Sequence, residues 1–336
     1  MREGDGIPRG PHGDAGAGEV PARASGPGAR GAHGERSAEP RPAFRSYYGR
    51  PVLKPPVWRW EIPAYLFTGG LSAGSALLAA GADLTGRPAL RRAGRLGGLG
   101  ALAASTGLLI ADLGRPERFH HMLRVAKPSS PMSVGTWILV AYGPGSALAA
   151  VAELLAAPMR ARPPGRLLWR MARPAGLSAA ALAPPLAAYT AVLLSQTAVP
   201  AWHDAHRQLP FLFTGSAAAS ASGLGMLAAP PAEASPARRL AVIGTVAEVV
   251  AARLIERRPG LVPTAYTTGR AGRLRRAAEG LTLAGALAAG LALLAGSALQ
   301  RFAVFTAGVA STKDPAHVVV PQRERLDAAA AGREDP

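Results

Sequence analysis

The chain has 336 residues, of which 49% are hydrophobic and none is cysteine, and its formal net charge is +17. The absence of cysteine excludes disulfides, thiolate zinc sites and an iron–sulfur cluster ligated by this chain's own cysteines. The arginines lie in connectors between apolar runs and in a Gly- and Pro-rich leader, so the charge indicates membrane topology and no nucleic-acid partner.

The first 46 residues are rich in Gly, Pro, Ala and Arg and lack the apolar segment of a signal peptide. Such a composition offers too few large apolar side chains to offset the entropy of ordering the backbone. We therefore predict a disordered leader over residues 1–46, a transmembrane helical bundle over 47–310 and a C-terminal tail over 311–336.

Seven apolar runs follow the leader, and most are long enough to cross a hydrocarbon core of about 30 Å as helices. They cover residues 62–84, 95–111, 133–157, 175–199, 209–229, 240–255 and 281–305. The sequence thus predicts an all-α integral membrane helical bundle of about seven to eight transmembrane helices, with six also compatible with the pattern. It places the protein in a lipid membrane.

Three of these runs carry residues that bear on helix packing. Gly70 and Gly74 lie four apart in the first run, a spacing that lets another helix approach closely. Pro184 and Pro185 remove hydrogen bonds from the fourth run and are expected to kink or break it. The sixth run is the weakest because it contains Glu248.

Orientation and the tail are less strongly specified. The alternating connectors hold similar numbers of Arg and Lys, so the positive-inside rule alone does not orient the chain. If the arginines of the second connector are functional and are discounted, the first and third connectors face the cytoplasm and the N-terminus lies outside. The tail reads as a surface extension with a strand-like run at residues 318–320 and disorder after about Arg325.

The start of the first run carries a carboxylate and a phenol. Glu61 and Tyr65 are four apart, so they share a helical face where the membrane meets water. Together they can handle a proton at that interface. Tyr65 beside Trp58 and Trp60 also fits ordinary membrane anchoring, which is the competing interpretation.

The connector after the second run is unusually rich in chemistry. Asp112 and Arg115, three apart, are predicted to lie one turn apart and to neutralise each other. They form either a structural ion pair or, with Arg118, the lining of a polar cavity at the membrane interface. Ser133 is predicted to cap the third helix and Trp137 to anchor it.

Other ionisable groups allow further hypotheses. Glu248 in an apolar stretch is protonated, paired across helices or part of a proton path. The seven histidines all lie in tails or connectors, so an intrinsic bis-histidine haem is not expected. His203 and His206 have a metal-like spacing, but a hydrated loop containing Asp204 explains them equally well.

Six segments in order carry a family resemblance. They are "YYGRPVLKPPVWRWEIPAYLFTGGLSAGS", "DLGRPERF", "SPMSVGTW", "AVPAWHDAHRQLPFLF", "AGVASTKDP" and "VVPQRER". Between about Tyr47 and Arg325 the chain resembles the NrfD/PsrC polysulfide reductase membrane-subunit family.

The resemblance implies an all-helical, quinone-interacting subunit of the bacterial cytoplasmic membrane. Such a subunit uses a quinone, menaquinone or ubiquinone, as a diffusible substrate and holds no haem or iron–sulfur cluster of its own. It docks to a four-cluster ferredoxin-like iron–sulfur subunit, which connects to a molybdopterin catalytic subunit. No complete active site is expected in this chain alone.

The resemblance also implies where the quinone reacts, because quinone sites of the family lie near the start of the first span and in the adjacent connector. Here it implies Glu61, Tyr65, Asp112 and Arg115 as catalytic residues; the quinone-contacting set adds Arg118, Ser133 and Trp137. Asp112 or Glu61 would exchange protons, and Arg115 and Arg118 would stabilise a developing quinol anion. The connector would form the roof of the pocket.

One departure from the family pattern concerns the last spans. The family has eight spans, whereas residues 281–305 form a single run before the terminal motif. An odd number of spans would place the tail on the opposite side of the membrane from the family's.

Two other functions remain open at this point. One is a non-catalytic membrane anchor. The other is a secondary transporter, which is supported by Glu248, the proline pair and a faint sequence similarity between residues 63–79 and 209–228.

Overall fold

The computed structural model describes residues 51–287 and 290–331, so the predicted disordered leader lies outside the described residues. Within those ranges the chain forms helices and no strand, which confirms the all-α prediction. The long helices in this part of the protein are α1 Glu61–Leu84, α2 Pro88–Asp112, α3 Pro131–Leu154, α5 Pro163–Ser195, α7 Leu209–Ala228, α8 Ser235–Glu256, α10 Gly269–Leu287 and α11 Gly290–Lys313. Shorter ones are α4 Ala157–Ala161, α6 Pro200–Asp204, α9 Thr264–Thr267, α12 Ala316–Ala331 and a 3₁₀ helix, Pro116–Leu123.

Six helices in the described ranges are long and apolar enough to cross a membrane, namely α1, α2, α3, α5, α7 and α11. The long helices α8 and α10 fall outside this set. Both carry several charged side chains, such as Arg253 on α8 and Arg275 and Glu279 on α10.

The prediction of one span over residues 281–305 is wrong. α10 ends at Leu287 and α11 begins at Gly290, and the two helices pack side by side. A Cβ on Gly296 would lie 2.9 Å from the backbone nitrogen of Thr282, and one on Gly285 would lie 2.6 Å from that of Leu293. The pairing is therefore antiparallel. The sequence did not reveal the boundary because residues 281–299 carry no charged side chain that would separate the end of α10 from the start of α11.

One end of the bundle, here called the mouth end, gathers the first residues of α1, α7 and α10 and the last residues of α2, α5, α8 and α11. Trp58, just before α1, stacks on Trp202 of α6 with ring centroids 6.0 Å apart. The backbone N–H of Ala201 donates to Ser311 Oγ of α11 at 3.2 Å. Tyr266 of α9 donates to the Ala201 carbonyl at 2.8 Å, and burial raises the pKa of this tyrosine. The end of α11 thus lies beside the start of α1.

The opposite end, here called the arginine end, gathers the last residues of α1, α3 and α7 and the first residues of α2, α5 and α8. Arg95 of α2 forms ion pairs with Asp83 of α1 at 3.1 Å and Glu153 of α3 at 2.9 Å. Arg91, one turn earlier, bonds the same Glu153 at 2.7 Å. Glu233 accepts from two backbone N–H groups in the first turn of α2, at 2.8 and 3.1 Å, and so caps that helix.

The first helix lies centrally, in contact with α2, α5, α7 and α11. Its glycines confirm the predicted close approach, because a Cβ on Gly74 would overlap the carbonyl oxygen of Ala217 on α7. A Cβ on Gly70 would lie 3.1 Å from the guanidinium of Arg301. Small residues of this kind let helix backbones meet inside a membrane.

The predicted break of the fourth run and the predicted strand-like run do not occur. α5 runs without interruption through Pro184 and Pro185, and their neighbours Ala183 and Leu186 are buried in the core, where packing holds the helix together. The strand-like run at residues 318–320 belongs instead to helix α12, which continues to Ala331. Asp314 Oδ1 accepts the backbone N–H of Ala316 at 2.9 Å and thereby caps α12 at its start.

Candidate functional site

The start of α1 brings a partly buried carboxylate to the mouth end. Glu61 is half-buried, and its Oε2 is shielded from solvent without a hydrogen-bond partner in the described residues. Tyr65, one turn further, is only 4% exposed and belongs to the apolar core. Ser105 Oγ of α2 donates to the Tyr65 carbonyl at 3.3 Å, which fixes the two helices together beside Glu61. A shielded oxygen without a donor is a position for a ligand that donates a hydrogen bond.

The end of α2 adds a second carboxylate to the same place. Asp112 is half-buried and lies within electrostatic range of Glu61 and Arg59. Two acidic groups and one guanidinium therefore share the interface between α1 and α2 at the mouth end. Carboxylates close to each other and partly desolvated are the usual arrangement for groups that exchange protons.

The predicted ion pair between Asp112 and Arg115 is wrong, since no salt bridge joins them in this part of the protein. The helix ends at Asp112, Leu113 is extended, and Arg115 precedes the 3₁₀ helix with φ −136° and ψ 86°. The spacing of three residues assumed a continuing helix. Once the backbone leaves the helix, the two side chains no longer share a face.

The connector after α2 lies at the surface of the mouth end. None of the residues of its 3₁₀ helix is buried, and both Arg115 and Arg118 are exposed. Neither guanidinium forms a salt bridge with Glu61 or Asp112 within the described residues. The structure therefore brings Glu61, Tyr65 and Asp112 together but leaves the two arginines outside this group.

Ser133 and Trp137 hold the connector in a different way from the one predicted. α3 begins at Pro131, so Ser133 lies inside its first turn and does not cap it. Its hydroxyl accepts the backbone N–H of Lys127 at 2.9 Å and donates to the carbonyl of Val125 at 3.1 Å. Trp137 Nε1 donates to the same carbonyl at 3.5 Å, with the side chain 40% exposed. Both residues position the connector backbone.

A cavity of about 330 Å³ lies at the mouth end but away from the predicted residues. Its lining is mostly apolar, with an ammonium group and two hydroxyls, and consists of Leu53, Lys54, Pro56, Val57, Trp58, Thr197, Ala198, Val199 and Thr312. The volume falls within the range of small-molecule pockets. The mouth end thus contains an apolar cavity that is separate from Glu61 and Asp112.

Two oppositely charged residues are buried deeper in the bundle, and only one of them, Glu248, was singled out from the sequence. Glu248 of α8 is 3% exposed and Arg301 of α11 is 1% exposed. Arg301 Nη2 donates to the carbonyl of Phe213 at 2.7 Å, and its guanidinium lies 3.8 Å from the centroid of that ring. Since α1 passes Arg301 at Gly70, the pair lies about 14 Å deeper along α1 than Glu61.

The two charges act on each other without direct contact. Arg301 lies within electrostatic range of Glu248, yet the described residues contain no salt bridge between them. Oε2 of Glu248 and Nε and Nη1 of Arg301 are shielded from solvent and lack hydrogen-bond partners there, as does the hydroxyl of Thr245. Buried polar atoms in such a state are commonly bridged by ordered water.

Comparison with known proteins identifies the family. The family model for polysulphide reductase, NrfD, matches residues 52–251. The chain belongs to the NrfD family. The C subunit of the polysulfide reductase of Wolinella succinogenes is 37% identical over 94 residues, which is 26% of this protein and 30% of that one. The alignment thus spans less than a third of the relative's length.

Family membership and the six apolar helices together make this NrfD protein a multi-pass membrane protein. The matched residues include all the predicted site residues and Glu248, whereas Arg301 lies beyond them. The described residues contain no group of three or more His, Asp or Glu side chains arranged to hold a metal ion. A single Arg within the apolar run 281–305 was the signal that could have revealed Arg301, because a charge at such a position demands a partner.

Proposed function

We propose that this NrfD protein is the quinone-reactive membrane subunit of an oxidoreductase complex. It passes electrons between a membrane quinone or quinol and an iron–sulfur partner subunit. The observation that carries the proposal is the shielded, unpartnered Oε2 of Glu61 beside Asp112, where α1 meets α2 at the membrane interface. A quinol hydroxyl is a donor of the kind that this oxygen lacks.

The chemistry of the site follows from the proton balance of the reaction. Oxidation of a quinol to a quinone releases two electrons and two protons, so the site needs acceptors for the protons. Glu61 and Asp112 can each accept one, because both are carboxylates at the hydrated end of the bundle. Tyr65 forms the buried wall against which the apolar ring packs. Arg115 and Arg118 stay candidates for orienting the ring from the connector.

The electrons require a partner, because this protein has no cysteine to ligate a cluster. The similar Wolinella succinogenes protein is named as the C subunit of polysulfide reductase, which implies further subunits in that enzyme. By analogy, we propose a four-cluster ferredoxin-like iron–sulfur subunit bound at the mouth end and a molybdopterin catalytic subunit beyond it. The exposed connector of residues 113–130 is the natural contact surface for the iron–sulfur subunit.

The alternatives make different predictions. A non-catalytic anchor binds no quinone and tolerates changes at Glu61, Tyr65 and Asp112. A secondary transporter is favoured by the unpaired atoms around Glu248 and Arg301, but α5 is not broken at its proline pair, which removes the support that a broken helix would have given.

Titration of the purified protein with a quinone analogue tests the proposal by quenching of tryptophan fluorescence. A Trp169→Phe background removes the tryptophan at the arginine end, so the other four report on the mouth end and its neighbourhood. We expect saturable quenching, with the dissociation constant raised about tenfold by Glu61→Gln, because a hydrogen bond to a charged group contributes roughly 1.5 kcal/mol or more. Tyr65→Phe should change affinity less.

Glu117→Gln is the matched control, because Glu117 is a solvent-exposed carboxylate of the 3₁₀ helix at the same end. The affinity of this variant for the quinone analogue should equal that of the Trp169→Phe protein. Saturable binding that is unaltered by Glu61→Gln would move the site away from α1. A folded protein that shows no saturable quenching at all would support the anchor function instead.

A further inference from the structure

A cationic segment lies at the arginine end, outside the proposed quinone site. It consists of α4 and the first turns of α5, residues 157–173, and is named here the α4–α5 segment. The segment contains no acidic residue and carries five arginines: Arg160, Arg162, Arg166, Arg170 and Arg173. Within the described residues, Arg162 and Arg170 make no side-chain hydrogen bond or ion pair.

The length of α5 places these arginines at the depth of the lipid headgroups. α5 has 33 residues, which corresponds to about 50 Å, whereas a hydrocarbon core spans about 30 Å. Its first turns therefore extend beyond the core. Leu167 is 63% exposed, Met171 46% and Met159 51%, so apolar side chains on the segment alternate with the guanidinium groups. This pattern is typical of a segment that lies in the membrane interface.

Two guanidinium groups lie over the Trp169 ring, and only one of them has an acidic partner in the described residues. The guanidinium of Arg160 lies 3.9 Å from the centroid of the Trp169 ring, and that of Arg91 lies 5.7 Å from it. Arg91 is neutralised by Glu153 and Asp83, which also pair with Arg95 of α2. Arg160 has no acidic partner in the described residues, and its Nε is shielded from solvent without an acceptor.

We propose that the α4–α5 segment binds the phosphate headgroup of an anionic phospholipid. Arg160, fixed on Trp169, supplies a positive charge without an acidic partner in the described residues, and Arg166 and Arg170 line the same headgroup layer. The acyl chains run along Leu167 and Met171 towards the core. Guanidinium groups recognise phosphate through several parallel hydrogen bonds, and basic segments at a bilayer surface gather anionic lipids.

The proposal also orients the protein. In a bacterial cytoplasmic membrane the cytoplasmic leaflet attracts basic segments near the membrane. The arginine end then faces the cytoplasm, and the mouth end, with Glu61 and the exposed connector, faces outside. This orientation is independent of whether a quinone binds at the mouth end.

Native mass spectrometry of the purified protein, with phosphatidylglycerol or phosphatidylcholine added to the detergent, tests the lipid site. We expect phosphatidylglycerol to bind about a hundredfold more tightly than phosphatidylcholine, because three arginines contribute about fivefold each. The variant Arg160→Gln/Arg166→Gln/Arg170→Gln should lose most of this preference, at about fivefold for each arginine removed. Arg170→Gln alone, at an exposed position where the side chain makes no hydrogen bond or ion pair in the described residues, should weaken binding about fivefold without affecting folding.

The control variant Arg124→Gln/Arg207→Gln/Arg257→Gln removes three exposed charges from the mouth end and should keep the preference. Equal loss in both triple variants would overturn the proposal, because it would show a general effect of charge. Equal binding of the two lipids by the wild-type protein would also overturn it. Glycerol phosphate without acyl chains, added at the lipid concentration, should not compete; full competition would assign the site to a soluble phosphate instead.

Discussion

Arg301→Met is expected to destabilise the folded protein by about 3–5 kcal/mol, since removing one member of a buried charged pair leaves the other uncompensated. Arg301 is 1% exposed and is the opposite charge that acts on Glu248 in the core of the bundle. The substitution also removes the donor to the Phe213 carbonyl and the contact with the Phe213 ring. Unfolding of the detergent-solubilised protein, followed by helical circular dichroism during titration with a denaturing detergent, measures the loss.

Two further variants separate the charge effect from simple loss of packing. In Arg301→Met/Glu248→Gln an uncharged amide replaces the carboxylate left without its partner, so part of the lost stability should return. Arg92→Met removes an exposed guanidinium of α2 that makes no side-chain hydrogen bond or ion pair in the described residues, and should change stability by less than about 0.5 kcal/mol. If the double variant is no more stable than Arg301→Met, the charges of Glu248 and Arg301 do not compensate each other.

Gly74→Leu is expected to separate α1 from α7 and to cost about 3 kcal/mol or more. A Cβ at this position would overlap the carbonyl oxygen of Ala217 and lie 2.8 Å from the Cβ of Ala221. The nearest atom belongs to the backbone, so no side-chain rotation relieves the overlap. Because α1 packs against α2, α5 and α11 as well as α7, displacing it also disturbs the wall that holds Glu61 and Tyr65.

Gly81→Leu supplies a matched control on the same helix. No atom lies within 4 Å of a Cβ built on Gly81, and the residue is exposed. Leucine has the higher helix propensity, so this variant should be as stable as the wild type or slightly more stable. Comparable stability of the two leucine variants, measured in the same unfolding titration, would contradict the close approach of α1 and α7 at Gly74.

Helices and their contacts could be predicted from the sequence where the spacing of nearby residues determines them. The spacing of Gly70 and Gly74 predicted a close helix contact, and apolar runs predicted α1, α3, α5 and α7 as membrane-spanning helices. Apolar runs fail as predictors where no charged residue separates two helices, as between α10 and α11. They also fail where helices carry charge, as in α10, whose side chains are paired by tertiary contacts: Arg275 bonds Glu256 at 2.6 Å and Glu279 at 2.9 Å.

The residues of the site could be predicted from the sequence only in part, because the spacing of two residues predicts their contact only within one helix or strand. Glu61 and Tyr65 share a turn of α1, and their joint position at the helix start follows from the sequence. Asp112 and Arg115 do not share one, since the helix ends between them. Asp112 lies near Glu61, and Glu248 near Arg301, because helices that are far apart in the sequence pack together. No local sequence pattern encodes that packing.

Photolabelling with an azidoquinone, followed by peptide mapping of the assembled complex, tests most directly that quinone reacts where α1 meets α2. We expect label on peptides that contain Glu61–Tyr65 and Ser105–Asp112, suppressed by excess unlabelled quinone and weakened by Glu61→Gln. Label confined to peptides with Thr197–Val199 and Thr312 would place the quinone in the 330 Å³ cavity and contradict the proposed site.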